Sequence, residues 1–260
     1  MPRQPRIYSN ASMYHVMIRG INGEKIFIKS FYKSKVLRDI KEIGEELRFN
    51  VIGFCVMDNH MHLLVKAGEE ELITLMKRLN IKYAMFYNKL ENRYGHVFQD
   101  RYKSEAIEDD RYYLGVLRYI HNNPVRAGIS QNILNYKWSS ANEYVNQKSD
   151  IIEECYLAEM LKLFRNMDAF LKFHDDFDYN VYVDNKEDEK DNIQMIINKI
   201  INDFVNKYKI EDEKKINKEQ KSELAEILLK RNICTIKEIA DLCRMSTKDI
   251  ISIKNEIDLA

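Results

Sequence analysis

Residues 50–66 read NVIGFCVMDNHMHLLVK. Two apolar runs, Asn50–Val56 and His60–Lys66, are separated by Met57, Asp58 and Asn59, the pattern of two strands joined by a tight turn. Working outward, residues 32–47 set Val36, Ile40, Ile43 and Leu47 at helical spacing, and Met13–Arg19 alternates as a strand does. On the other side, Glu69–Leu90 carries Leu72, Leu75, Met76, Leu79, Tyr83 and Phe86 three to four apart and predicts a long helix. Residues 102–107 read as a fourth strand, and 109–122 as a helix that stops before Pro124, because a residue preceding proline disfavours the helical region. The order β-α-β-β-α-β predicts an α+β fold, a ferredoxin-like sandwich with an antiparallel sheet and flanking helices.

Composition agrees. Only 8 Gly and 3 Pro in 260 residues leave little chemistry for a turn-dense all-β fold. No apolar run is long enough to span a membrane, and the amino-terminal MPRQPRIYSNASMYHV lacks the apolar core of a secretory leader. Cys55, Cys155, Cys234 and Cys243 include no C-x-x-C pair, which argues against a zinc ribbon or a disulfide scaffold and for a cytoplasmic protein.

The net charge of zero hides an asymmetry. Residues 1–150 hold 23 Lys+Arg against 17 Asp+Glu, and residues 151–260 hold 18 against 24. The basic excess is densest at 77–103, where Lys77, Arg78, Lys82, Lys89, Arg93, Arg101 and Lys103 face only Glu91 and Asp100. Tyr83, Phe86, Tyr87, Tyr94, Phe98 and Tyr102 are interleaved with them. Cations with aromatics compose a nucleic-acid surface, and equally a solvated helix whose aromatics face a core.

His60 and His62 leave one face of a strand together, which suits two ligands on one cation; it suits two packed, hydrogen-bonded histidines as well. Tyr119 and Asn123 are four apart at the end of a helix and share a face. A tyrosine hydroxyl can attack phosphorus, although at its usual pKa of about 10 it is mostly protonated at neutral pH. Asn123 offers an amide oxygen as a third ligand, or caps the helix before Pro124. Tyr112 and Tyr113 are rival nucleophiles, but neither has an amide four residues on at a helix end.

The string from Val56 to Val65 (VMDNHMHLLV) resembles the H-hydrophobic-H segment of the HUH single-tyrosine transposases, and more narrowly their REP-associated branch within the insertion-sequence-200-like family. Three further stretches are similar in order and spacing: GHVFQDRYKS at 95–104, YIHNNPVRAG at 119–128, and YKWSS at 136–140 with Tyr144. A shorter match, HVMIRG at 15–20, falls on the first strand. The resemblance covers roughly residues 7–145. It implies that His60 and His62 hold a divalent cation, Mg²⁺ or Mn²⁺, with Asn123 as third ligand, and that Tyr119 is the nucleophile giving a 5′-phosphotyrosine. The implied activity is metal-dependent nicking and rejoining of single-stranded, hairpin-bearing DNA, with a homodimer allowed and no membrane involved. Under it the basic stretch becomes a DNA-contacting surface, with Arg101, Lys103 and Arg126 beside the scissile phosphate. The rivals are a DNA-binding protein with an idle centre and a metal-dependent phosphodiester hydrolase acting on RNA or nucleotides.

Three parts are expected: a catalytic domain over 1–150 holding the whole chemical apparatus, an acidic helical connector over 151–191, and a helical domain over 192–260. The connector should carry a helix near 156–173 and end in the polar run 184–191 as a linker. In the last part TIKE at 235–238 and STKD at 246–249 read as capping boxes. Ile236, Ile239, Ala240, Leu242 and Met245 between them form the small core of a helix-turn-helix, which puts Thr247 and Lys248 at the start of its recognition helix. Arg244 stands in the turn where glycine, free to take positive φ, is the usual choice.

Overall fold

Strands β1 (Met13–Arg19), β2 (Asn50–Val56), β3 (His60–Lys66) and β4 (Lys103–Ile107) form one antiparallel sheet in the order β2-β3-β1-β4. This is the order the ferredoxin-like reading requires, with the first and third strands central. The computed structural model describes residues 9–184, 186–210 and 216–258; residues 1–8, part of the stretch read for a leader, lie outside them.

Register decides which side chains share a face. In the β1–β3 pairing Arg19 stands opposite His60, Met17 opposite His62 and His15 opposite Leu64. Directly opposed residues project to the same side, so His15, His60 and His62 share one face. The alternate residues Tyr14, Val16, Ile18, Met61, Leu63 and Val65 point the other way and are all buried. Helices α1 (Ser30–Leu47) and α2 (Glu69–Leu90) pack against each other and cover that side.

Helix α3 (Asp110–Arg126) lies on the histidine face, across β2 and β3. Its close approach depends on Gly53, where a Cβ would come within 2.7 Å of Leu117 Cδ1. The helix starts at Asp109, whose carboxylate accepts from the Tyr112 N–H, but it does not stop before Pro124 as expected. Pro124 sits inside it and withholds only the one N–H that proline lacks; the chain leaves the helix a few residues later, at Arg126.

Residues 136–144 seal the outer edge of β2. Val56 N–H donates to the Trp138 carbonyl, Ser140 N–H to the Phe54 carbonyl, and the Tyr136 and Tyr144 hydroxyls to the carbonyls of Val56 and Ile52. An edge strand left open would template aggregation, so this stretch has a structural task. Helix α4 (Ala141–Asn146) follows it.

The expected helix over 156–173 is two, α5 (Glu154–Lys162) and α6 (Met167–Asp175), because Asn166 turns extended and caps the second by accepting from Ala169 N–H. Phe170 on α6 is wholly buried against Tyr144 and His121. The chain accordingly divides into two compact units, 1–185 and 186–260, rather than at 150 and 191. The apolar face of α6 buries itself on the core, so residues 151–184 form part of the first unit. The run 184–191 is not a linker throughout: α7 (Lys186–Tyr208) begins within it.

The second unit contains α7, α8 (Lys218–Arg231), α9 (Ile236–Cys243) and α10 (Thr247–Asp258), with α8, α9 and α10 in mutual contact. Both expected capping boxes are present, Thr235 with Glu238 and Ser246 with Asp249. Arg244 takes the left-handed conformation (φ 51°, ψ 51°) between α9 and α10, in the place where glycine was the expected residue.

Candidate active site and metal centre

The site lies between the histidine face of the sheet and α3. His62 is fully buried, and its Nδ1 is 3.0 Å from Nε2 of His15 across the strand pair. Its other nitrogen, Nε2, makes no hydrogen bond among the described residues and lies 3.8 Å from Oδ2 of Asp184. His60 spans two amides, with Nδ1 2.8 Å from Asn59 Oδ1 and Nε2 3.0 Å from Asn123 Oδ1. A neutral imidazole donates from one nitrogen only and an amide oxygen only accepts, so just one of these contacts is a hydrogen bond; the other sets a ring lone pair against an amide oxygen, or has its amide turned to present the NH2.

Tyr119 points into the same space. Its ring meets His62 edge-on at 5.5 Å and His15 at 5.9 Å, and its hydroxyl donates to Asp184 Oδ2. The Arg126 guanidinium lies over the Tyr119 ring, 5.0 Å from its centre. Burial lowers the pKa of Arg126, while Tyr119 and the carboxylates of Asp178 and Asp184 favour its charge. Burial holds His15 and His62 well below the usual histidine pKa; the neighbouring His62 adds to this for His15, and His60 and Arg126 do so for His62. Neutral imidazoles are the form that binds metal.

His60, His62, Tyr119 and Asn123, expected as one constellation, are therefore brought together. Two residues that sequence reasoning did not place there join them. His15 stood in the shortest of the quoted matches, and its position opposite Leu64 follows only from the register. Asp184 is one acidic residue in a polar run, 65 positions from Tyr119, and nothing in the sequence singles it out. It lies beyond the first 150 residues, to which the whole apparatus was expected to be confined. Of the rival tyrosines, Tyr112 packs against Tyr182, and burial raises the hydroxyl pKa of both Tyr112 and Tyr113.

The basic stretch does not form one patch. On α2, Arg78 pairs with Glu46 of α1, and Lys82 pairs with Asp39 and Glu42 of α1. Arg93 pairs with Glu24. Lys77 and Lys89 stand on the same helix, on the far side of the sheet from Tyr119. Tyr83 and Tyr87 are buried in a cluster with Tyr32 and Phe86, so those aromatics serve the core rather than a stacking platform. Lys103 does reach the site, donating to the Asp184 backbone carbonyl, and Arg101 is exposed two residues before it.

The donor set suits a divalent cation. Among the described residues, His60, His62 and Asp184 each offer one ligand atom, these atoms lie within 4.8 Å of one another, and all three residues are buried. The orphaned Nε2 of His62 faces this space, and in the tautomer whose Nδ1–H donates to His15 it offers its lone pair to a ligand.

Residues 8–123 match the protein family described as "Transposase IS200 like". A Haemophilus influenzae protein, named as a candidate REP-associated tyrosine transposase, is 27% identical over an alignment of 125 residues, and the match covers 44% of this chain and 70% of that one. Two solved structures are similar in part. One is a REP-associated tyrosine transposase bound to a REP hairpin: 19% identity, TM-score 0.49, 56% of this chain and 87% of that one. The other is a candidate transposase from Deinococcus radiodurans R1: 16% identity, TM-score 0.33, 46% of this chain and 97% of that one.

Proposed function

Because residues 8–123 match the IS200-like transposases, we propose that this chain is a DNA-processing enzyme of that kind, one that nicks and rejoins single-stranded, hairpin-bearing DNA through a 5′-phosphotyrosine intermediate. Tyr119 is the nucleophile, and His60, His62 and Asn123 are ligands of a divalent cation, Mg²⁺ or Mn²⁺. The observation that carries this reading is the orientation of Tyr119: its hydroxyl and the unpartnered Nε2 of His62 converge on the same carboxylate oxygen.

The chain's own groups divide the work. When bound, the cation neutralises the non-bridging phosphate oxygens, so no strong base is demanded of the protein. The hydrogen bond to Asp184 and the packing of Arg126 hold the Tyr119 ring and hydroxyl, so that attack is a matter of position more than of reactivity. His15 fixes the rotation of His62, and Asn59 that of His60, the usual service of a hydrogen-bonding neighbour to a metal-binding imidazole. Attack by the tyrosine oxygen forms the Tyr–O–P bond and breaks the bond from phosphorus to the 3′-oxygen, which leaves as a hydroxyl. Rejoining reverses these steps with a new 3′-hydroxyl.

Arg101, Lys103 and Arg126 are the cations we assign to the DNA backbone; the α1 ion pairs of Arg78 and Lys82 favour a structural task for α2. In the second unit α9 and α10 form a helix-turn-helix, with Thr247 and Lys248 opening the helix that reads duplex DNA. The test is incubation with labelled single-stranded DNA carrying a hairpin, followed by denaturing electrophoresis. A covalent adduct that disappears in Tyr119→Phe is expected; an adduct formed by that variant at full yield would overturn the assignment.

A further inference from the structure

We propose that Asp184 is a ligand of the cation, so that a carboxylate from outside the family-matching segment completes the metal centre. This rests on the reading of His60 and His62 as cation ligands.

The argument begins with distances. A hard divalent cation bound by oxygens and imidazoles at about 2.1 Å places neighbouring donors about 3.0 Å apart and opposite donors about 4.2 Å apart. His60 Nε2 and Asn123 Oδ1 are already 3.0 Å apart, and His62 Nε2 and Asp184 Oδ2 are 3.8 Å apart. The ligand atoms of His60, His62 and Asp184 all fall within 4.8 Å, so closing onto an ion asks for shifts of about an ångström or less. The chemistry agrees: two imidazoles and an amide carry no charge, and a buried divalent ion held by them alone would be uncompensated. Asp184 supplies one negative charge, and its oxygen favours hard cations.

Asp184 is delivered by a built path. The segment leading to it crosses α3 at Gly115, where a Cβ would come within 2.2 Å of the Tyr182 hydroxyl. Tyr182 lies against the Tyr119 ring at 4.9 Å, and its hydroxyl donates to Asp178 at 2.6 Å. Asp178 pairs with Arg118 of α3 at 2.7 Å. The Asp184 carbonyl accepts from Lys103 of β4. A carboxylate oxygen has lone pairs enough to receive the Tyr119 hydroxyl and a cation together, so the ligand of the ion also aims the nucleophile.

The experiment is Mn²⁺ binding to the full chain without DNA, read as loss of the free Mn²⁺ resonance signal. Asp184→Asn should weaken binding by about tenfold or more, Tyr119→Phe should leave it nearly unchanged, and His60→Ala should abolish it. Wild-type affinity in Asp184→Asn beside lost affinity in His60→Ala would overturn this inference alone. Wild-type affinity in His60→Ala and His62→Ala would overturn the metal reading on which it rests. Hydrogen exchange of the unmodified protein gives a second readout independent of the variant's fold. Mn²⁺ should slow exchange over residues 177–184, and no protection there would overturn the proposal.

Discussion

Tyr119 illustrates how neighbours single out one residue among 16 tyrosines. Its hydroxyl is fixed by Asp184 and its ring by His15, His62, Tyr182 and Arg126, so removing the hydroxyl alone should change chemistry and not shape. Tyr119→Phe should therefore abolish the covalent adduct while affinity for single-stranded DNA, measured by anisotropy, stays nearly the same. The imidazoles predict a separate loss. His60→Ala or His62→Ala should end cleavage with the fold intact, and excess chelator should do the same to the unaltered chain. Cleavage persisting in chelator would remove the cation from the mechanism. At this scale the sequence was informative where spacing alone sets geometry: two residues apart on a strand, four apart on a helix. It was silent on Asp184, whose partner lies 65 residues away.

The joint between α3 and α6 holds the late segment to the core. His174 Nδ1 donates to the Phe170 carbonyl at 2.8 Å, which leaves its Nε2 to accept from His121 Nδ1–H at 2.9 Å. His121 Nε2 then accepts from the Ser140 hydroxyl at 2.8 Å. Asn122 adds a bond to the His174 carbonyl. With both imidazoles neutral every link is satisfied, and burial favours that state, pushing His174 down to about 4 and His121 well below its usual value. A histidine whose pKa is lowered by folding takes up protons on unfolding, so its stability is full above about 6.5 and lost as pH falls towards 4. Glu143, pushed up to about 7 by burial, works in the opposite sense, losing stability as pH rises from about 4.5 to 7. The four histidines whose pKa burial lowers, His15, His62, His121 and His174, outnumber it, so denaturant midpoints should drop as pH falls from 6.5 to 4. A flat or rising profile would contradict the neutral chain. Phe170→Ala, emptying a fully buried site between Tyr144 and His121, should lower stability by about 3–5 kcal/mol in chemical denaturation. Helical and strand periods made these elements readable. The break at Asn166 and the helix running through Pro124 were not, because a cap and a tolerated proline depend on local hydrogen bonding that periodicity does not register.

Across the whole molecule, the boundary at 185 changes which shortened chain should work. A chain ending near residue 150 lacks α6, leaves Tyr144 without Phe170 and omits Asp184, so it should be poorly soluble or form no adduct. A chain ending at 185 should fold and form adducts, with DNA affinity that falls steeply with salt as several phosphate contacts release counterions together. Loss of 186–260 should instead change which DNA is preferred, as competition between substrates would register. If the chain ending at 185 binds DNA but cannot form the adduct, the second unit contributes to the chemistry. The sequence by itself determined the strands and helices within residues 13–128, because these follow from short-range periods, and the resemblance of its motifs implied the sandwich they form and the grouping of His60 and His62 with Tyr119 and Asn123. Only the tertiary structure decided that α2's cations answer α1's carboxylates and that residues 151–184 belong to the first compact unit. It alone decided that Asp184 stands at the site. The physical reason is that contacts between distant segments are set by burial and by the register of neighbouring strands, and a linear pattern of residue types records neither.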